Sequence, residues 1–271
     1  MRKIFFTILT AVFILSGCTK TTNGPGKLVV KVTDDPFNIS FVESATVTIT
    51  KVEIRKADQN EGNPFMVLSE DTITFDLFKL RNGITEDLLT IDLPQGSYDL
   101  IRLYVEEAEL KIKDQPMVYN VKVPSGKQTG IKIFITPSLR VGGGLTSELL
   151  LDFDLSRSFV MRGNMAHAAG INGFIFKPCI RATNITTAGR IEGMVTDTAK
   201  MKIVNAKVWF SQDTVMATAY TDTLGRYAFI GVPAGTYSIF ATKENYDTVG
   251  YTGIDVIKGN RTLQNFILQE K

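Results

Sequence analysis

One histidine, His167, one tryptophan, Trp209, and two cysteines, Cys18 and Cys179, are all that 271 residues hold of those types. A single imidazole cannot build a multi-histidine zinc site, and no cysteine pair at ligand spacing compensates. No Gly-x-Ser-x-Gly elbow occurs, so a serine nucleophile would have to recruit His167 from elsewhere in the fold. The chain also lacks an excess of either charge: 30 basic residues stand against 28 acidic ones, with the signs interspersed. With no basic surplus to collect a phosphate backbone, no nucleic-acid partner is expected. The apolar run Ile4 to Leu15 falls short of the roughly 20 residues that a membrane-spanning helix needs.

What that run does have is flanks. Arg2 and Lys3 precede it, and Leu15-Ser16-Gly17-Cys18 closes it. A basic start, a short apolar stretch and small residues fit a targeting segment better than a core helix. The order resembles a bacterial lipoprotein signal with its lipobox. That resemblance implies removal of residues 1–17 and lipidation of Cys18, which makes the membrane a partner through a lipid anchor. Thr19, not Asp, follows the cysteine, which implies transfer to the outer membrane, with its periplasmic or surface face left open. Cleavage there removes Arg2 and Lys3 and no acids, leaving 28 basic and 28 acidic residues. Lipidation also uses up Cys18, so Cys179 has no partner within the chain and a disulfide framework is excluded. In the strand-like run Phe174 to Ile180, Cys179 reads as a small buried hydrophobe.

Behind the cysteine, residues 18–26 are polar and rich in Thr and Gly, and read as a flexible tether. Beyond it, short β-branched and aromatic runs recur between Gly, Pro, Asn and Asp. Ile131, Ile133 and Ile135 alternate with Lys132 and Phe134. Leu149, Leu151, Phe153 and Leu155 share one strand face, with Asp152 and Asp154 on the other. Asn82-Gly83 and Asn172-Gly173 are expected as tight turns. The expected fold is all-β, with two immunoglobulin- or transthyretin-like β-sandwiches. Within Val47 to Ile54 the apolar phase slips near Lys51, so that strand is expected either to bulge or to change sheets. Leu93-Pro94-Gln95-Gly96-Ser97-Tyr98 and Val232-Pro233-Ala234-Gly235-Thr236-Tyr237 repeat one pattern. In each, a tyrosine just past the corner can cover the turn and bond the backbone through its hydroxyl.

Residues 190–271 contain Ile191-Glu192-Gly193-Met194-Val195-Thr196-Asp197, Ala206-Lys207-Val208, Thr221 to Phe229 and Val232 to Tyr237. In that order and spacing they resemble the carboxypeptidase regulatory-like domain, which implies a transthyretin-like, carbohydrate-binding-like sandwich of accessory type without catalytic residues. Residues 27–183 carry Lys27 to Pro36, Phe75-Asp76-Leu77, Leu93 to Tyr98, Ile101-Arg102-Leu103, Leu151-Asp152-Phe153-Asp154 and Phe176-Lys177-Pro178. These resemble the lipoprotein domain-of-unknown-function family 4382, which has no established activity. Thr183 to Gly189 is the expected boundary.

Four sets of candidate residues follow. His167, in the loop Gly163 to Gly173, reads as an ordinary loop histidine. Asp152 and Asp154 lie about 6.5–7 Å apart along one strand face. A solvated or hydrogen-bonded polar face explains them; a calcium site with hard oxygen ligands and a glycoside-hydrolase pair are the alternatives. Trp209 is out of phase with Val204, Ala206, Val208 and Phe210, so it points away from the core, either to stack on a sugar or partner or to be covered by a loop or the other domain. Asp-Thr steps place Thr72, Thr198, Thr214, Thr223 and Thr248 in triplets that resemble acceptor sites of a bacterial envelope O-glycosylation system; turn chemistry also explains them. No cofactor is expected beyond that calcium alternative. The expected function is a non-catalytic envelope lipoprotein that binds or displays, with a glycan, an envelope protein or another cell's surface as partner. Against it stand an envelope enzyme acting on glycans through acidic residues and a purely structural spacer.

Overall fold

The computed structural model describes residues 24–35, 42–59, 64–113, 116–121, 123, 128–163 and 171–271. Cys18 and its signal, most of the expected tether, and His167 lie outside them. The chain is all-β and forms two β-sandwiches in succession, each around its own core.

The first contains β1 (Gly26–Asp35), β2 (Val42–Lys56), β3 (Phe65–Ser69), β4 (Ile73–Asp76), β5 (Glu86–Leu93) and β6 (Gly96–Ile112). It continues with β7 (Val118–Val121), β8 (Ile131–Val141), β9 (Thr146–Asp154), the hairpin β10 (Phe159–Gly163) and β11 (Ile171–Phe176), and β12 (Ile180–Asn184). The hydrogen-bonded path runs β3-β2-β6-β8-β12-β9-β1-β5, with β4 also on β2 and β7 on β6. It curls until β3 and β5 touch, so one apolar face closes on itself. Leu28, Ile54, Phe75, Leu103 and Phe153 are sealed inside.

The long strand β2 stays within one sheet, paired with β6 on one side and with β4 and then β3 on the other, and its phase slip is taken up by a bulge. Register with β6 breaks between Ile49 and Lys51. At that point its other neighbour changes from β4, along Thr46 to Ile49, to β3, along Val52 to Arg55. One inserted residue inverts the two-residue alternation, so Val47 and Ile49 before it and Val52 and Ile54 after it all enter the same core. The bulge is thus what the slip signals; β2 changes its edge neighbour there but does not cross to the other sheet.

The second sandwich has β13 (Ala188–Asp197), β14 (Lys207–Ser211), β15 (Val215–Tyr220), β16 (Arg226–Pro233), β17 (Gly235–Thr242), β18 (Thr248–Val256), β19 (Arg261–Leu263) and β20 (Phe266–Leu268). One sheet is β16-β13-β19 with β20 also on β13, and the other is β15-β14-β17-β18. Ile191, Val208, Phe210, Phe229, Ile239 and Phe266 fill the space between them.

The repeated corner motif does the same job in both sandwiches. Tyr98 donates its hydroxyl to the Pro94 carbonyl and Tyr237 to the Pro233 carbonyl, each at 2.8 Å. Both rings are buried, so each corner is pinned from inside.

Three local expectations need correction. Asn82-Gly83 does turn, with φ of 57° and 80°, but Asn172-Gly173 lies inside β11. Gly173 there faces Arg162 next to a register shift, so the glycine serves an irregular strand pair rather than a turn. Val204 precedes β14 and is exposed, so the core face starts at Ala206. Cys179 is half-buried in the break between β11 and β12, where its N–H donates to Ser158 Oγ and its carbonyl accepts from the Asp154 N–H. Burial pushes its thiol pKa up.

The two sandwiches are docked against each other. Alternation on β9 sends Leu149, Leu151 and Phe153 inward and Leu150 outward, yet Leu150 is also 0% exposed. A Cβ on Gly231 of the second sandwich would stand 3.0 Å from Leu150 Cδ2 and 3.4 Å from Thr183 Cβ. The first sandwich's Asn82-Gly83 turn presses on the same sheet: a Cβ on Gly83 would lie 3.3 Å from Ile230 and 3.4 Å from Ala228.

Candidate functional site

Alternation on β14 seals Val208 and Phe210 in the core and turns Lys207 and Trp209 to the opposite face. Across the ladder from Trp209 stands Phe240 of β17, and across from Phe240 stands Gly250 of β18. The indole and phenyl rings stack with centroids 5.3 Å apart and planes 17° from parallel. A Cβ on Gly250 would sit 2.3 Å from the Phe240 ring, so the phenyl occupies the space a side chain would take. Lys207 Nζ is 5.4 Å from the indole centroid. Beside the rings, Thr248 and Thr242 join hydroxyls at 3.0 Å. Trp209 is therefore half-buried by neighbours on its own sheet. The result is a partly exposed stacked aromatic pair with a cation and hydroxyls beside it, suited to the apolar face of a sugar ring or to a partner side chain.

Asp152 and Asp154 do share the face opposite the core, but the second sandwich covers part of it. Asp152 is buried and pairs with Arg181, its register partner on β12. The space it faces is about 10 Å³, walled by Thr33, Asp34 and Arg181 and, from the second sandwich, Ala228, Phe229 and Ile230. That volume holds about one water and no sugar. Burial pushes the Asp152 carboxyl pKa up, and the Arg181 charge offsets only part of this. Asp154 caps the single-turn helix Leu155–Ser158 by accepting from the Arg157 N–H at 2.9 Å. Among the described residues no group of three or more His, Cys, Asp or Glu is arranged to hold a metal ion.

Other acids of the shared motifs also have structural work. Asp34 accepts from the Leu155 N–H, while Thr33 donates to the carbonyls of Leu80 and Ile84. Asp76 accepts from the N–H groups of Ala45 and Phe78. These bonds tie β1, β2, the 77–84 turn region and the short helix into the end of the first sandwich that meets the second.

Thr72, Thr198, Thr214, Thr223 and Thr248 are all exposed. Three of the preceding acids supply turn and pairing bonds: Asp197 accepts from the Met201 N–H, Asp222 from those of Leu224 and Arg226, and Asp247 from that of Gln269.

Sequence reasoning missed a polar network on the outer face of β2 and β6. Glu53 is only 4% exposed and takes donors from Arg102, Lys51 and Tyr104. The Arg102 guanidinium also stacks 3.7 Å from the Phe65 ring centroid. Burial works to raise the Glu53 pKa, but the hydrogen bonds and charges of Lys51 and Arg102 outweigh it and hold the carboxyl below its ordinary value. The available signal was the spacing Lys51-x-Glu53 and Arg102-x-Tyr104, which becomes meaningful only once the Glu53–Arg102 register is known.

Residues 25–178, more than half of the chain, match the family model described as Domain of unknown function (DUF4382), and the chain belongs to that family. Residues 190–269 match the model described as Carboxypeptidase regulatory-like domain. Neither description names a catalytic activity. No curated protein matches the chain. Among solved structures, 3-chlorocatechol 1,2-dioxygenase from Rhodococcus opacus is similar at 12% identity and TM-score 0.26, over 31% of this chain and 61% of that one. The chain thus spans less than two thirds of that enzyme's length. A putative carbohydrate binding protein from Pseudomonas aeruginosa is similar at 20% identity and TM-score 0.21, over 32% of this chain and 92% of that one. Shaft pilin SpaA from Lactobacillus rhamnosus GG is similar at 10% identity and TM-score 0.25, over 91% of this chain and 98% of that one. Scores this low transfer no activity, ligand or partner.

Proposed function

We propose that this protein is a non-catalytic module of the cell envelope that binds a glycan or an envelope protein while anchored to the outer membrane by a lipid on Cys18. The observation that carries the binding reading is the Trp209–Phe240 stack, set on a sheet face with Gly250 leaving room for the phenyl ring. An accessory-type second sandwich supports it, as does the engagement of Asp152 and Asp154 in pairing and capping. The basic, apolar and small-residue order before Cys18 supports the anchor. A tether confines the platform near the membrane, where local concentration supplements weak affinity. The docking of Leu150 on Gly231 also favours a second role as a rigid spacer.

Three experiments separate these statements. Glycan titration should change Trp209 fluorescence, and Trp209→Ala should abolish binding; binding that survives the substitution overturns the platform. Cys18→Ser should release the protein from the membrane fraction, and retention there overturns the anchor. Glycans on the exposed threonines would raise the intact mass above that of the lipidated polypeptide; equality rejects attachment.

A further inference from the structure

The other sheet of the second sandwich has an outer face of different chemistry. On β13, Ile191 enters the core while Arg190, Glu192 and Met194 turn outward. Register then builds rows across the sheet. Arg190 is flanked by Ile230 on β16 and Arg261 on β19, Glu192 by Ala228 and Leu263, and Met194 by Arg226. Apart from Ile230, these residues line a cleft of about 570 Å³, together with Asn82 of the first sandwich. That size lies within the roughly 300–1,000 Å³ of small-molecule sites.

Its charges do not balance. Glu192 is shared between Arg190 Nε at 2.6 Å and Arg261 Nη1 at 2.9 Å. Arg226, exposed on the opposite side of Glu192, makes no ion pair among the described residues. The remaining acid in the cleft, Asp222, is turned into its own loop, accepting the Leu224 and Arg226 N–H groups at 2.8 Å each. Three guanidinium groups thus meet two carboxylates, in a protein whose basic and acidic residues otherwise nearly cancel. Glu192 holds Arg190 and Arg261 together, but one carboxylate neutralises only one of the two charges and leaves guanidinium N–H donors over. Guanidinium forks match carboxylate and phosphate oxygens in pairs. Ala228, Met194 and Leu263 supply an apolar lining for the body of a ligand.

We infer that this cleft binds a small oxyanionic ligand of sugar size, a sugar acid or a sugar phosphate. Its carboxylate or phosphate is held by Arg226, and its body lies along Ala228, Met194 and Leu263 toward the Arg190–Glu192–Arg261 cluster. The site stands on the opposite sheet from Trp209, so its failure leaves the aromatic platform untouched, and the reverse holds too.

The test titrates the purified protein with glucuronate, glucose 6-phosphate, inorganic phosphate and neutral glucose, by calorimetry and by amide shift changes. Glucuronate or glucose 6-phosphate should bind, weaken as salt rises, and shift the amides of Glu192 to Met194 and of Arg226 to Ala228; glucose should not. Whichever of the two binds identifies the oxyanion, and phosphate binding alone, without a sugar body, would overturn the sugar-sized reading. Arg226→Gln and Arg261→Gln, both at exposed positions, should each weaken binding roughly tenfold or more. Melting curves confirm that each variant folds, and binding by either folded variant at wild-type strength overturns the assignment. So does the absence of binding by any anionic probe at millimolar concentration.

Discussion

Arg102→Met should destabilise the first sandwich while leaving the second intact, and the structure sets the size. The substitution removes the Nε donor at 2.7 Å from Glu53 Oε2 and a second guanidinium bond to the same oxygen. It also removes the cation stacked on Phe65. Glu53, 4% exposed, would remain charged inside. Stripping one partner from a buried pair costs about 3–5 kcal/mol. Here Lys51 stays at 2.9 Å and the Tyr104 hydroxyl at 3.2 Å, which lowers the expectation to about 2–3 kcal/mol. Replacing both members, Glu53→Met with Arg102→Met, removes the orphaned charge and should cost less than about 1 kcal/mol. Native-state hydrogen exchange of Val47 to Ile54 reads the first sandwich, and Trp209 fluorescence during urea unfolding reads the second. The reasoning is refuted if the single variant costs under about 1 kcal/mol, or if the double variant is as unstable as the single.

The same glutamate sets a pH dependence. Its folded pKa lies below the ordinary 4.5, so its contribution is present above pH 4.5 and is lost as pH falls through the folded value. Melting scans from pH 7 down to pH 3 should show wild type losing more stability than Glu53→Gln, and parallel curves would contradict this. Leu150→Ala should cost about 2–3 kcal/mol and loosen the docking of the sandwiches, seen as a larger radius of gyration in small-angle scattering; an unchanged radius refutes the docking. Tyr98→Phe and Tyr237→Phe each lose one 2.8 Å bond to a proline carbonyl and should each cost about 1 kcal/mol, so unequal costs would show that the corners are not equivalent.

How far residues alone could carry this reading depends on the range of the interaction. The β2 bulge and the twin tyrosine corners were readable because their signal lies within a few residues: a phase slip at Lys51, and a proline four residues before each tyrosine. Trp209's orientation followed from two-residue alternation for the same reason. Its stacking partner Phe240 is 31 positions away and depends on the β14–β17 register, which no local pattern carries. Asp152 marks the limit of alternation. Alternation correctly put it opposite Leu151 and Phe153, but an outward face is solvated only if nothing covers it, and Ala228 to Ile230 of the second sandwich do. Burial of that face then demands a cation, which Arg181 supplies from β12. The same docking helps wall the arginine cleft through Asn82, so that site belongs to neither sandwich alone. If the cleft takes an oxyanion, loosening the docking with Leu150→Ala should weaken glucuronate or glucose 6-phosphate binding without touching any arginine. Unchanged affinity would show that the first sandwich contributes nothing to the site.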